Sequence, residues 1–247
     1  MRRLEAVLVD LDNTLILFDE PTFFNAYSQT LYRHFASLMS PEEFGQRLNS
    51  GTKAMIKNDG SRLNIDVFKD VFGDGLPTNG DQIWERFDDF YQHKFSQFQS
   101  LMQPIPGTAP LLTSLSNQNL KLVLATNPLF PDEVQHMRLQ WAGLAAVPFD
   151  LITSVENSSF AKPNPQYFTT ICKTIGVDAQ TAVMVGNDPF NDMVAAYAGL
   201  RTYLTTDSEH VSIELSQALA SDSHLQLPEP DAKGSILELD SYIETLM

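Results

Sequence analysis

Apolar and polar positions divide the chain into short apolar runs separated by stretches with helical spacing. Five runs have the length and composition of buried strands, and they lie at 6–9, 120–125, 149–153, 182–185 and 201–205. Helical patterns connect them, including one that starts at Asn164-Pro165 with the residues of a helix N-terminus. Strands that alternate with helices predict an α/β fold with a doubly wound parallel sheet, a Rossmann-like core.

One block interrupts this alternation. Residues 19–99 contain four helical patterns and no run that predicts a strand, and the patterns lie at 22–38, 41–57, 65–72 and 81–98. A block of this size is too long for an ordinary crossover between the first two strands. We therefore expect a core of residues 1–18 and 100–247 and an inserted all-helical cap domain at 19–99.

The patterns are weaker near the C-terminus. Residues 189–200 predict one more helix, and 235–246 predict a short final helix. The polar, proline-containing stretch at 221–234 predicts no element. Most aromatic residues of the helical block have helical spacing, so we expect them in its core. Lys53, Lys57 and Arg62 are its candidates to meet an anionic ligand, although a solvated face is the commoner role for such residues.

Composition excludes several classes of protein. The chain has 247 residues, 43% of them hydrophobic, and a net charge of −15, so it predicts a globular protein that does not bind a nucleic acid polymer. Acidic residues interrupt the apolar N-terminal run, and no run approaches the about 20 apolar residues of a membrane helix. The single cysteine, Cys172, has the pattern of a buried residue. We expect a cytoplasmic protein without a disulfide or a membrane segment.

Two carboxylates follow the first predicted strand directly, in the segment DLDNTL that starts at Asp10. Ligands of open α/β sheets bind beyond the carboxyl ends of the strands, where Asp10 and Asp12 can both reach the crevice. One carboxylate can attack phosphorus and the other can protonate the leaving oxygen. The alternative is that both residues only stabilise a turn.

Three further strand ends carry polar side chains. Thr126 and Asn127 end the second strand, where a hydroxyl and backbone N–H groups suit an anionic oxygen. Lys162 can screen the repulsion between carboxylates and a phosphate, although a loop lysine is more often solvated. Asp188 and Asp192 offer the carboxylate oxygens that Mg²⁺ prefers, although Asp188-Pro189 also suits a helix start.

These segments together resemble the four signature motifs of the haloacid dehalogenase-like hydrolase superfamily. The motifs are DLDNTL, LVLATN, AKPNP and VGNDPFND, and the phrase FDLITSVENSSFAKPNPQYF is similar as well. The resemblance covers about residues 4–18 and 100–206, and the helical block is similar in placement to the helical cap of many members. It implies a Mg²⁺-dependent phosphatase that acts on a small phosphorylated metabolite through an aspartyl-phosphate.

The resemblance also implies roles for single residues. Asp10 resembles the nucleophile, and Asp12 resembles the general acid, whose backbone carbonyl also binds Mg²⁺. Lys162 resembles the lysine that steadies Asp10 and the phosphoryl oxygens, and Thr126 resembles the phosphate-binding hydroxyl. Family members that act as haloacid dehalogenases lack an acid at the position of Asp12, so its presence favours phosphoryl transfer.

The fourth motif leaves two points open. Asp188 resembles the metal-binding carboxylate, while Asp192 resembles a second acid that is either a metal ligand or the partner of Lys162. Many relatives have an aspartate directly after the glycine, where this chain has Asn187, so a role for Asn187 stays undecided.

Other functions use the same residues. A phosphomutase would need the same four motifs, and the sequence does not separate it from a phosphatase. A non-catalytic regulatory or binding member would be expected to lack some of the motif residues, which are all present. The sequence leaves the natural substrate undetermined, and either a monomer or a homodimer is compatible with it.

Overall fold

The computed structural model describes residues 3–76, 80–208 and 227–247. Six of its strands form one parallel sheet in the order β5-β4-β1-β6-β7-β8, and two form a separate antiparallel pair. In chain order the strands are β1 (Ala6–Val9), β2 (Ile16–Leu17), β3 (Gln103–Pro104), β4 (Lys121–Leu124), β5 (Leu151–Ile152), β6 (Ala182–Gly186), β7 (Arg201–Thr205) and β8 (Ala232–Gly234). The predicted α/β fold with a Rossmann-like parallel sheet is confirmed.

The α-helices of the described residues fall into two groups. The core helices are α5 (Thr108–Asn117), α6 (Asp132–Trp141), α7 (Pro165–Ile175) and α8 (Leu239–Glu244). The helices between β2 and β3 are α1 (Glu20–Phe35), α2 (Pro41–Ile56), α3 (Asn64–Gly73) and α4 (Gly80–His93), and a 3₁₀ helix follows at Phe95–Leu101. We call this second group, residues 20–101, the helical insertion.

The register of β1 sets the position of the functional edge. β1 is the buried centre of the sheet, and its Val7 lies opposite Leu122 of β4 and Val183 of β6. Parallel strands in this register end side by side, so the residues that follow β1, β4 and β6 share one edge. That edge is where the four sequence motifs were expected to meet.

The structure corrects two expectations about the C-terminal half. The predicted helix at 189–200 is a shorter 3₁₀ helix at Met193–Ala198, because residues 188–192 form a turn around the side chain of Asp188. The stretch 221–234, for which no element was predicted, contains the edge strand β8; its residues 221–226 lie outside the described residues. The final helix is split into a 3₁₀ turn at Ile236–Glu238 and α8.

Aromatic side chains fill the interior of the helical insertion. The ring centroid of Phe35 lies 4.5 Å from that of Phe44 and 4.6 Å from that of Phe87, and all three side chains are buried. Such rings contribute large buried apolar areas and favourable edge contacts. The expected core role of these aromatic residues is confirmed, except at Phe24, which is exposed.

The helical insertion contacts the core on the side of the functional edge. The antiparallel pair of β2 and β3 lies where the chain enters and leaves the insertion. At the start of α3, the Asn64 N–H donates to Ser158 O at 2.8 Å, and the Ile65 N–H donates to Val155 O at 3.0 Å. Asn64 Nδ2 also donates to Phe160 O at 3.3 Å, two residues before Lys162. These hydrogen bonds fix the start of α3 against the loop that carries Lys162.

The length and hydropathy of a helix decide whether it can cross a membrane. In the described residues, no helix combines the length and the apolar composition that crossing a bilayer requires.

Candidate active site

Asp10 begins a tight loop at the end of β1. Its N–H still belongs to the sheet and donates to Val185 O at 2.9 Å. The chain then turns because Leu11 O accepts hydrogen bonds from Leu15 N and Ile16 N, at 2.9 and 3.1 Å. Asn13 adopts a left-handed conformation in this turn, with φ of 55°, which asparagine tolerates better than most residues. The Asp10 side chain is therefore held at the sheet edge and is buried.

Lys162 is a buried cation between two carboxylates. Its Nζ lies 2.7 Å from Asp10 Oδ1 and 2.6 Å from Asp192 Oδ1, and its side chain is 1% exposed. Burial alone would lower the pKa of Lys162, but the charges of Asp10 and Asp192 outweigh it and raise this pKa above its usual value. The ammonium group is therefore charged in the folded protein, and the alternative of a solvated loop lysine is excluded.

Both carboxylate oxygens of Asp192 accept hydrogen bonds, one of them from Lys162. Its Oδ1 accepts from Lys162, and its Oδ2 accepts from the backbone N–H of Asp188 at 3.0 Å. Burial, opposed by the charge of Lys162 and reinforced by the neighbouring carboxylates Asp10 and Asp188, raises the pKa of Asp192 to about 7. A Cβ at Gly186 would collide with this carboxylate, which explains glycine at the end of β6. Of the two alternatives for Asp192, the contacts match the partner of Lys162.

Asp188 lies buried at the end of β6 and organises the turn that follows. Its Oδ1 accepts from the N–H groups of Phe190 and Asn191 at 2.7 and 3.1 Å, and its Oδ2 accepts from Asn191 Nδ2 at 2.7 Å. Burial raises the pKa of Asp188 despite these hydrogen bonds. Asp188 therefore stabilises a turn and does not start a helix as the alternative interpretation expected, since the next helix begins only at Met193, and its carboxylate stays at the same edge as Asp10. The adjacent Asn187 accepts from Thr14 Oγ1 at 3.2 Å and so ties the two strand ends together.

Thr126 is held by two residues that the sequence analysis missed. Its carbonyl oxygen accepts from Tyr167 Oη at 2.8 Å and from Thr153 Oγ1 at 2.7 Å. Both partners are buried, and their own hydroxyl oxygens lie 3.0 Å apart. Asn127 supports the lysine, because its Oδ1 accepts from the Lys162 N–H at 3.2 Å. Thr126 and Asn127 therefore adjoin the carboxylate edge, as expected of the end of β4.

Asp12 differs from the other carboxylates in exposure and in partner. Its side chain is 33% exposed, and its Oδ1 forms an ion pair with Nη2 of Arg138, a residue of α6 that is 1% exposed. Arg138 lies outside the four sequence motifs. A signal was present, since helical spacing places Arg138 on the buried face of α6 with Val134 and Trp141, where a charge is unusual.

The cationic residues of the helical insertion show no comparable placement. Lys53 and Lys57 are exposed, and Arg62 is half-exposed and donates to Asp70 Oδ2 at 2.6 Å. This arrangement agrees with the solvated face that was considered the commoner role.

Comparison with known proteins identifies the fold family. A family model described as haloacid dehalogenase-like hydrolase matches residues 7–204, more than three quarters of the chain. The chain belongs to this hydrolase family. The resemblance inferred from the four motifs is thereby confirmed.

Individual relatives of the hydrolase family are distant. A pyrophosphatase PpaX of Halalkalibacterium halodurans is 23% identical over 199 residues, which are 81% of this chain and 82% of that protein. A phosphoglycolate phosphatase of Rhodospirillum rubrum is 25% identical over 198 residues, 79% of this chain and 77% of that protein. A 2-haloacid dehalogenase of Pseudomonas syringae pv. Tomato DC3000 has a TM-score of 0.62 at 22% identity, with 99% of this chain and 100% of the other covered. At this identity the structural likeness shows the fold.

The charges at this edge of the sheet indicate which metal ion the site residues could hold. Four aspartates (10, 12, 188 and 192) face two cations, Lys162 and Arg138, which leaves excess negative charge. Among the residues that the structure describes, no three His, Cys, Asp or Glu side chains are arranged to hold a metal ion by themselves. Mg²⁺ usually takes only one or two protein carboxylates and completes its shell with carbonyls, waters and substrate phosphate. The donor set therefore fits Mg²⁺ better than a metal that needs a closed protein cage.

Proposed function

We propose that this hydrolase is a Mg²⁺-dependent phosphatase that cleaves a small phosphomonoester through an aspartyl-phosphate at Asp10. The observation that carries the proposal is the buried ion pair between Lys162 Nζ and Asp10 Oδ1 at 2.7 Å. A lysine that is buried against a carboxylate at a sheet edge is expensive in solvation, so a structural role alone explains it poorly. Its charge is suited to an anionic substrate that meets a carboxylate nucleophile.

In the proposed first step, Asp10 attacks the phosphoryl group. Lys162 fixes Oδ1, so Oδ2 forms the new bond to phosphorus while the bond from phosphorus to the leaving oxygen breaks. Asp12 gives its proton to that oxygen, which leaves as an alcohol. In the second step, water attacks phosphorus, Asp12 takes up the water proton, and the bond between phosphorus and Asp10 breaks. Phosphate is released and both carboxyl groups return to their starting states.

The remaining site residues hold the phosphoryl group in position. We expect the Thr126 hydroxyl and the N–H groups after β4 to bind phosphoryl oxygens, and the support of the Thr126 carbonyl by Tyr167 and Thr153 favours this role. Asn127 acts through Lys162, whose N–H it accepts. When bound, Mg²⁺ would neutralise phosphoryl charge, and Asp10, Asp188 and the Asp12 carbonyl would hold it. Asp192 would serve as the partner of Lys162 rather than as a ligand.

The helical insertion is proposed to act as a cap domain, with boundaries near the predicted 19–99. The start of α3 contacts the loop at 155–160, which leads to Lys162, so the insertion lies close to the catalytic edge. A cap in this position can exclude bulk water and select the group attached to the phosphate. The partner we expect is a small phosphorylated metabolite in the cytoplasm, with the protein as a monomer or homodimer.

Names of relatives support a phosphate-containing substrate. The relatives include proteins named pyrophosphatase, phosphoglycolate phosphatase and ribulose-1,5-bisphosphate 5-phosphatase. They differ in substrate, so they support the reaction class and not one compound. Asp12 argues against dehalogenation, because a general acid has a use only where the leaving oxygen must be protonated. A phosphomutase stays the alternative, since it would use the same residues with a different acceptor.

Phosphate release from p-nitrophenyl phosphate tests the proposal. The purified protein is assayed with Mg²⁺, with EDTA and after Mg²⁺ is restored, and Asp10→Asn serves as the matched variant. We expect turnover that EDTA abolishes, that Mg²⁺ restores and that Asp10→Asn lacks. Full activity of a well-folded Asp10→Asn protein would refute the mechanism. Metal-dependent transfer to added sugar phosphates without net phosphate release would favour the phosphomutase.

A further inference from the structure

Arg138 reaches the proposed general acid from inside the core. It lies on α6, beyond the motifs of the sequence analysis, and its Nη2 pairs with Asp12 Oδ1. Its other contacts keep the guanidinium in place: Nη1 donates to Gln135 Oε1 at 3.4 Å, and the Phe130 ring centroid lies 5.5 Å from Cζ. Gln135 is itself fully buried. Arg138 is therefore a cation whose position the core determines.

The ion pair is costly if it serves the fold alone. Arg138 is 1% exposed, its Nε has no hydrogen-bond partner among the described residues, and Asp12 is the one carboxylate in direct contact with it there. A well-packed apolar residue of similar volume would usually be no less stable at such a position. Burial lowers the pKa of Arg138 to about 10, opposed by the charge of Asp10, so the guanidinium stays charged at neutral pH.

Asp12 needs such a partner. Its side chain is one-third exposed, and the first carboxylate of the same segment, Asp10, lies two residues before it. A short carboxylate without a fixed partner would distribute among several rotamers, of which few reach the attacking water. Orientation of a reacting group matters, since displacement by about 1 Å can cost about 100-fold in rate.

We propose that Arg138 is a positioning residue that holds the ionised Asp12 carboxylate in the orientation in which it takes up the water proton in the second step. The inference rests on the proposed phosphatase function and extends it to a residue outside the four motifs. Arg138 acts through Asp12 and does not touch the substrate. Its loss should therefore change kcat and leave KM for a small substrate almost unchanged.

A double-mutant cycle separates this role from a structural one. Arg138→Met keeps the volume without the charge, and Arg138→Lys keeps the charge without the planar fork. We expect Arg138→Met to lower kcat for p-nitrophenyl phosphate about 10- to 100-fold with KM within about twofold, and Arg138→Lys to fall between it and the wild type. In an Asp12→Asn background, Arg138→Met should change kcat less than about twofold. An equal loss in both backgrounds, or a raised KM at unchanged kcat, would overturn the proposal.

Thermal unfolding provides a readout that does not depend on turnover. Asp12→Asn leaves a buried guanidinium without its carboxylate and should lower the melting midpoint by roughly 5 °C, and adding Arg138→Met should recover most of that loss. Strictly additive shifts would mean that the pair is not formed in solution and would overturn the inference. An inactive wild type that shows the coupled shifts would instead refute the phosphatase proposal, and the catalytic role of Arg138 with it.

Discussion

Lys162 donates to Asp10 from a position that water hardly reaches, with 2.7 Å between Nζ and Oδ1 and 1% of the lysine side chain exposed. The same ammonium group holds Asp192 at 2.6 Å. Two buried carboxylates therefore depend on one cation. A buried network of this kind is costly to break at any member, because the remaining charges lose their compensation.

Replacement of Lys162 by methionine should be severe for both stability and activity. The change leaves Asp10 and Asp192 buried without a counter-charge, which we expect to cost about 3–5 kcal/mol of unfolding free energy and to abolish turnover. Urea unfolding measures the first effect. The control is Lys121→Met, since Lys121 pairs with Asp150 on the surface and should lose at most about 1 kcal/mol. Equal midpoints for the two variants would contradict the buried network.

Gly60→Ala should disturb the contact between the helical insertion and the core. Gly60 has φ of +87°, and a Cβ there would collide with the Phe160 ring. We expect the free energy of unfolding to fall by about 1 kcal/mol because of the backbone conformation and by roughly 1–3 kcal/mol more because of the collision. We also expect a raised KM, because Phe160 lies two residues before Lys162. The matched control is Gly75→Ala, where φ is +69° and the space around the Cβ is open. If both variants lose the same free energy of unfolding, the loop of Gly60 does not pack on Phe160 in solution.

Tyr167→Phe should weaken the support of Thr126. The variant removes one of the two hydroxyl donors to the Thr126 carbonyl, which should cost about 1 kcal/mol of stability and lower kcat/KM about fivefold. Tyr242→Phe is the control, because the Tyr242 hydroxyl is buried without a hydrogen-bond partner within the described ranges. Steady-state kinetics and thermal unfolding on both variants decide the question. A Tyr167→Phe enzyme with wild-type kinetics would show that this hydroxyl does not position Thr126.

Cys172 should be inert in the folded protein. Its side chain is 2% exposed, and burial, with the nearby Asp178, raises the pKa of its thiol to about 11. The thiolate is the reactive form, so at pH 8 both access and ionisation oppose modification. We expect no reaction with a disulfide reagent in native buffer and one thiol per chain in denaturant. Rapid modification of the native protein would contradict this burial.

The sequence predicted the strand ends well because their signal is local. Asp10 and Asp188 directly follow runs of buried apolar residues, and the end of a parallel strand decides which edge a side chain reaches. A role for Lys162 in the site was also predicted, from its position before Pro163. Its burial between two carboxylates required the structure, because that depends on contacts across the sheet.

Other features depend on partners that are distant in sequence. The pairing of Arg138 with Asp12 and of Tyr167 with Thr126 joins residues on different elements, and no single-residue pattern encodes such a pair. β8 was missed because Ala232–Gly234 has no strand pattern of its own and pairs with β7 at the sheet edge. The predicted helix at 189–200 was wrong because its first residues form a turn instead, which the Asp188 side chain stabilises.

Trapping of the covalent intermediate tests the central claim most directly. Protein turning over substrate with Mg²⁺ is quenched in acid and reduced with borohydride, which converts an aspartyl-phosphate to homoserine, and the peptides are analysed by mass spectrometry. Asp12→Asn, which should slow breakdown of the intermediate, is treated in parallel, with Asp10→Asn as the blank. We predict homoserine at position 10, more in Asp12→Asn than in the wild type. Rapid phosphate release with an unmodified Asp10 in both proteins would contradict the account.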